Sequence, residues 1–266
     1  MQQFNSLFKP FLVNLAAISV FLFCSSNALS QNNSGSLKPA YSLLLNLCYN
    51  SSLLELSGSN SISENIYEGK TFGAGTGFGA TVISKIPLGS KSDFVFSQAL
   101  SFNRMLSYDF GKEQYDIGEA NYNAISLSVG FEYNFTPRKK YNIYGGAEMN
   151  ANLIDGNSKI WFQRIGHPLG DSVASYNFNS SFRIGYGLNF GADYKVNNKF
   201  GFNLGFRFLN LNAFLKQSEG TNDDAEFQLR DDTANDLIFA GNKNFAFFSV
   251  NCGVSLYFGE NGKMLK

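Results

Sequence analysis

The sequence predicts an all-β chain, a transmembrane eight-stranded antiparallel up-and-down β-barrel, and three observations carry that prediction. Apolar residues alternate with small or polar ones at period two in segments spread from residue 41 to residue 258, the alternating segments number eight, and the connections between them run alternately long and short. Composition agrees. Charged residues make up 16% and aromatic residues 16%, with 28 Phe and 13 Tyr against 1 Trp, a profile that favours strands. The 26 glycines supply turns, and the 5 prolines leave few interruptions for long strands.

Residues 1–30 read as a secretory signal peptide. Met1 to Phe8 carries no acid, Lys9 follows, Phe11 to Cys24 is an apolar run, and Ala28-Leu29-Ser30 offers a small-x-small cleavage pattern before Gln31. A lipoprotein signal would need a small residue before Cys24, where Phe23 stands. The run is also shorter than the roughly 20 residues of a spanning helix. Cleavage removes one base and no acid, leaving 20 basic and 21 acidic side chains and a formal charge of −1, which carries no nucleic-acid footprint. Residues 31–38 form a short polar leader, residues 39–258 the barrel, and residues 259–266 a periplasmic C-terminal tail.

Eight segments then follow in order. Tyr41, Leu43, Leu45, Leu47 and Tyr49 alternate with Ser42, Leu44, Asn46 and Cys48. In the second, "TFGAGTGFGATV", the glycines Gly73, Gly75, Gly77 and Gly79 form one face, and Phe72, Ala74, Thr76, Phe78, Ala80 and Val82 the other. A dinucleotide loop needs G-x-G-x-x-G between a strand and a helix; here the spacing stays at two and no helical period follows. The third, Phe94 to Arg104, alternates less well because Gln98 and Arg104 fall on its apolar face. The fourth runs from Ile125 to Phe135, the fifth from Ile143 to Leu153 and the sixth from Phe182 to Tyr194, the last with thirteen residues in strict alternation. Phe200 to Phe208 and Phe248 to Phe258 complete the set.

The connections span 57–71, 85–93, 106–120, 136–140, 154–179, 195–199 and 212–243. Short turns at a periplasmic rim and long loops outside are the rhythm of outer-membrane barrels. Lys85, Lys91, Arg138, Lys139, Lys140, Lys195 and Lys199 fall in the short turns with a single acid, Asp93. Beside them stand Phe94, Tyr133, Phe135, Tyr141, Tyr194, Phe200 and Phe202, placed for an aromatic girdle. The last loop carries Glu219, Asp223, Asp224, Glu226, Asp231, Asp232 and Asp236, read as a solvated, mobile segment rather than a divalent-ion site.

The signal segment, the eight alternating segments and the last strand "FFSVNCGVSLYF", with an outward aromatic at Phe258, resemble the eight-stranded outer-membrane barrels of the OmpA/OmpX type. The resemblance covers roughly residues 39–258. It implies a location in the outer membrane and a terminal-strand signal, at Phe258, for the barrel-assembly machinery; the segment "GENGKMLK" beyond Phe258 departs from that pattern. It leaves activity open, because such barrels serve as adhesins, stabilisers, secretion components and lipid-modifying enzymes.

Catalysis, metal and cofactor sites are not expected. Barrel-borne lipid enzymes pair a histidine with a serine; the single histidine, His167, stands beside Pro168 in a surface turn with Ser172 five residues on. No second His or Cys/His cluster offers a zinc site. The lumen says more. Glu132, Glu148, Arg183, Asp193 and Arg207 fall on the polar faces of strands four to seven, with Tyr144 and Asn203 beside them. So narrow a barrel is filled by its inward side chains, and buried charges there must pair. Glu148 and Arg207, each about eight residues from a short turn, are the expected pair across the lumen. The glycine face is expected to leave room for Glu148, Arg183 and Arg207 from the far wall. Cys48 and Cys252 fall on opposite faces, so two free thiols are expected rather than a disulfide.

The role that follows is a monomeric, non-catalytic structural or surface-interaction protein. Its partners would be outer-membrane lipid, lipopolysaccharide and an extracellular or periplasmic protein, with no nucleic acid. A narrow porin-like pore for small solutes and a component of an envelope assembly or secretion system are the other classes kept open.

Overall fold

The computed structural model describes residues 41–53, 72–88, 92–107, 116–137, 139–162, 172–216, 226–229, 231–232 and 243–258. The leader, the tail, His167 and the side chain of Ser172 lie outside them. Nine strands are described: β1 (Tyr41–Ser52), β2 (Ala74–Leu88), β3 (Phe94–Ser107), β4 (Asp116–Asn134), β5 (Tyr141–Phe162), β6 (Ser172–Lys195), β7 (Phe200–Phe214), β8 (Glu226–Gln228) and β9 (Ala246–Phe258). Eight of them form the barrel. Each barrel strand pairs antiparallel with the next, and β9 pairs with β1 from Tyr41↔Phe258 to Ser52↔Phe247, which closes the sheet and removes its edges. The three-residue β8 lies outside the ring, parallel to β6 at residues 177–179.

Alternation decides which side chain meets which solvent. On β4, Ser126, Ser128, Gly130, Glu132 and Asn134 are buried inside while Val129, Phe131 and Tyr133 are exposed outside. The same holds around the ring, so that Leu47 is 71% exposed and Phe131 60%. A wall this apolar cannot face water on every side of a stable protein. Its apolar outward runs, residues 41–49 on β1, 125–133 on β4 and 200–208 on β7, are each nine residues long. That matches the 9 to 11 residues with which a tilted strand crosses the hydrocarbon of a bilayer.

The rim with the short turns carries rings in contact: Phe94 with Tyr133, Tyr133 with Phe135, Tyr141 with Tyr194, Phe200 with Phe202, and Tyr41 with Phe258, at centroid distances of 4.9 to 5.8 Å. At the other end β4, β5 and β6 continue past the apolar runs, through Asp116↔Phe162 and Phe162↔Ser172. The expected connections 106–120 and 154–179 are therefore partly strand. This polar blade, with Glu119 beside Lys159 and Asn123 donating to Asp155, runs on for about 26 Å along β5 beyond the apolar belt, from eight residues at 3.3 Å each.

Strand β2 departs from its expected phase. The ladder to β3 shifts between Ala74 and Thr76, and Gly73, with φ 66°, precedes the strand. One extra residue turns the chain over, so Phe72 and Ala74, expected on the outer wall, are buried inside. Gly75, Gly77 and Gly79 keep to the inner face. What lies over them is the neighbouring strand, not the far wall. A Cβ at Gly77 would come within 2.7 Å of Met105 Sδ, and one at Gly79 within 2.5 Å of Asn103 Oδ1.

Candidate functional site: the lumen and its outer mouth

Inward side chains fill the barrel in layers. Nearest the short turns, Lys85 is the centre: its Nζ lies 2.9 Å from Glu132 Oε2, 3.4 Å from Asp193 Oδ2 and 3.4 Å from the centroid of the Tyr144 ring. All four side chains are buried. Asn189 Nδ2 donates to Glu132 Oε1 over 3.3 Å, and Asn203 Nδ2 to Ser255 Oγ over 3.4 Å. Lys85 was expected in a short turn; it stands in the lumen because β2 runs on to Leu88. Following the inner face of β2 through Gly77, Gly79, Thr81 and Ile83 arrives at Lys85, so the signal was present.

The next layer is the ion pair of Arg207 Nη2 with Glu148 Oε1. The two residues stand on β7 and β5, and β6 lies between them. They meet because β6 offers Gly187 there: a Cβ on Gly187 would lie 2.8 Å from Glu148 Oε1 and 2.8 Å from Leu209 Cδ2. Gly191 does the same for Tyr144, whose hydroxyl would lie 2.5 Å from a Cβ at that position. Small residues on β6 opposite large ones on β5 let the large side chains reach over the intervening strand. A cavity of about 10 Å³ remains among Asn46, Ile83, Glu132, Glu148, Phe206 and Arg207, room for a single water.

Asparagines form the middle layer. Asn50 Nδ2 donates to Asn103 Oδ1 over 2.9 Å and Asn152 Nδ2 to Asn150 Oδ1 over 2.6 Å, all four residues buried. Cys48 faces the lumen beside Thr81, at 3.3 Å, and Cys252 faces outward; both are free.

The outer mouth is closed by packed apolar side chains and one more ion pair. Phe72, Met105, Tyr122, Leu211, Leu229 and Phe245 belong to one buried cluster, with Phe178 stacked on Tyr122 at 5.5 Å. Arg183 was grouped with the lower charges, and the structure moves it here. Its Nε donates to Asp231 Oδ2 and its Nη2 to Asp231 Oδ1, both over 2.8 Å, while Nη2 and Nη1 also reach the carbonyl oxygens of Leu229 and Phe182. Asn212 Nδ2 donates to Asp231 Oδ2 over 2.8 Å, and Leu229 N to Ser181 Oγ over 3.1 Å. Asp231 has no exposed surface. The acidic loop is thus not solvated throughout: this part folds into the mouth, because a buried guanidinium needs a carboxylate and no strand supplies one there. A connection has no periodicity, so nothing in the sequence pointed to Asp231.

Lys85 and Arg207 therefore pair with carboxylates on strands, and Arg183 with one on a connection. Among the described residues no group of three or more His, Cys, Asp or Glu could hold a metal ion. Chemically, the assembly pairs buried charges at two levels of the lumen and at its mouth.

No family model and no curated protein matches the chain. Solved structures similar to it include Neisserial surface protein A, at 16% identity over 82% of this chain and 97% of that one, TM-score 0.43. The outer membrane protein OprG from Pseudomonas aeruginosa is similar at 10% identity over 85% and 99%, TM-score 0.46. The attachment invasion locus protein Ail of Yersinia pestis is similar at 10% identity over 84% and 100%, TM-score 0.37.

Proposed function

We propose that this chain is an integral outer-membrane protein, a monomeric and non-catalytic barrel with a plugged lumen that holds a polar blade and loops at the cell surface for interaction. The observation that carries the reading is the contrast between the two sides of one wall: an apolar belt of bilayer thickness outside, and ion pairs at successive levels inside. An interior closed in this way supports a structural role rather than conduction. The blade supplies polar surface above the belt, suited to lipopolysaccharide, other envelope components or an external protein. Residues 1–30 would direct export, and Phe258, outward at the end of β9, would serve the barrel-assembly machinery.

The reading makes direct demands. Folded in detergent, the protein should change gel mobility on boiling and give a sheet-dominated far-ultraviolet spectrum; a helical spectrum would end the proposal. In a planar bilayer it should be silent, and steady single-channel currents altered by Arg207→Ala would favour the pore instead. A photo-crosslinker in the blade, at Asn157 or Lys159, should capture a surface component in cells. Capture only of periplasmic proteins, and only from the basic turns, would favour an assembly or secretion component.

A further inference from the structure

The short-turn rim is not uniform. The turn after β4, residues 135–140, and the turn after β6, residues 196–199, are tied together, since Lys195 N donates to the Lys140 carbonyl oxygen over 2.9 Å. Tyr257 N donates to the Lys199 carbonyl oxygen over the same distance, which brings β9 into the sector. Four lysines thereby share one part of the rim: Lys139, Lys140 and Lys199 are exposed and Lys195 is half-buried. Among the described residues none of these four lysines is ion-paired with an acid. Asp193 faces the lumen and Lys85, and Asp93 lies half-buried in the turn after β2. Among the described residues of the two turns there is no acid.

The lysines also stand at a defined depth. Lys140 Nζ lies 4.9 Å from the centroid of the Tyr194 ring, which itself packs 4.9 Å from Tyr141, whereas Lys195, with its Nζ 4.8 Å from the Tyr257 ring, shares the inner face with Asp193. Girdle rings of this kind settle at the headgroup level of a bilayer. Ammonium groups on their water side are at the height of lipid phosphates, and the outward strip beside them, Tyr141, Ile143, Phe190 and Phe202, is exposed and apolar, fit for acyl chains.

We propose that this sector, built from the exposed Lys139, Lys140 and Lys199 beside the Tyr141 and Tyr194 rings, is a docking site for anionic phospholipid in the periplasmic leaflet. It rests on the membrane reading above and adds a specific ligand class and place to it. Lysine binds phosphate as a point charge, so the site selects headgroup charge rather than headgroup shape. Charge on the phosphate and acyl chains on the strip act together, which is why the occupant is a lipid and not free phosphate.

The test compares the whole protein with the variant Lys139→Gln/Lys140→Gln/Lys199→Gln, whose three positions are exposed and leave folding intact. Each is loaded with equal amounts of phosphatidylglycerol and phosphatidylcholine in detergent, and the retained lipid is counted by native mass spectrometry. The unaltered protein should retain phosphatidylglycerol over phosphatidylcholine by roughly ten-fold or more, since each lysine near an anionic surface is worth about five-fold. The triple variant should approach parity, and high salt should do the same to the unaltered protein. No preference in the unaltered protein, or a preference that survives the triple change, overturns the proposal. Loss of the preference to low concentrations of inorganic phosphate would overturn it in favour of a phosphate-ion site. The boiling-dependent gel shift, measured on the same samples, reports the barrel separately: a retained shift with no lipid preference sinks the docking site alone.

Discussion

Arg183 on β6 and Asp231, 48 residues later in the connection before β9, form a two-pronged ion pair with both N to O distances at 2.8 Å and both side chains buried. The pair ties the mouth of the barrel to its wall. Asn212 adds a second anchor by donating to the same carboxylate and to the Lys243 carbonyl oxygen, while its own carbonyl accepts from Phe245 N.

Removing one partner should be costly, because the other charge stays buried. Asp231→Ala is expected to destabilise the folded barrel by about 3 to 5 kcal/mol, measured by urea titration of the boiling-dependent gel shift. Arg183→Met/Asp231→Leu should recover most of that loss. A double variant as unstable as the single one would show that the pair is not what closes the mouth.

Two lysines near the same rim should behave differently. Lys85→Met leaves Glu132 and Asp193 buried without their cation and is expected to destabilise by several kcal/mol. Lys139→Gln, on the surface, should stay within about 0.5 kcal/mol of the unaltered protein. Equal effects would put Lys85 back in the turn.

Glycine substitutions read the packing of the lumen. Gly187→Ala pushes a methyl group against Glu148 and Leu209 and should cost about 1 to 3 kcal/mol. Gly145→Ala, where the nearest atoms lie 3.6 Å away on Phe135 and 3.7 Å away on Phe190, should be near neutral. Gly77→Leu should destabilise, since Met105 and the Arg104 carbonyl oxygen already occupy the space.

Thiol chemistry checks the faces of β1 and β9. Unfolded under non-reducing conditions, Cys48 and Cys252 should both take up an alkylating reagent, detected as an intact-mass shift, because neither is in a disulfide. In the folded barrel Cys48, buried beside Thr81, should be protected from a water-soluble reagent. Rapid labelling of Cys48 in the folded state would mean that the lumen is open to water.

Much of the wall was legible in advance, because lipid outside and a filled lumen inside impose a strict period of two on segments such as Phe182 to Tyr194. The departures from that period have one physical origin each. Phe72 and Ala74 were assigned to the outer face because a single extra residue near Gly75 reverses the phase, and a bulge leaves no mark in the alternation itself. Lys85 was lost because its charge suggested a turn before the strand had ended.

By itself the sequence determined the all-β class, the eight-strand ring, the aromatic rim and the inward set Glu132, Glu148, Asp193 and Arg207. All of these follow from side-chain direction along a strand, which is local. Only the tertiary structure decided which charges meet. Lys85 joins Glu132 and Asp193 from different strands, Glu148 reaches Arg207 over Gly187, and Arg183 waits on Asp231 from a connection without periodicity. Such partners are set by barrel closure and by the space that small residues leave, quantities that exist once the chain has folded on itself.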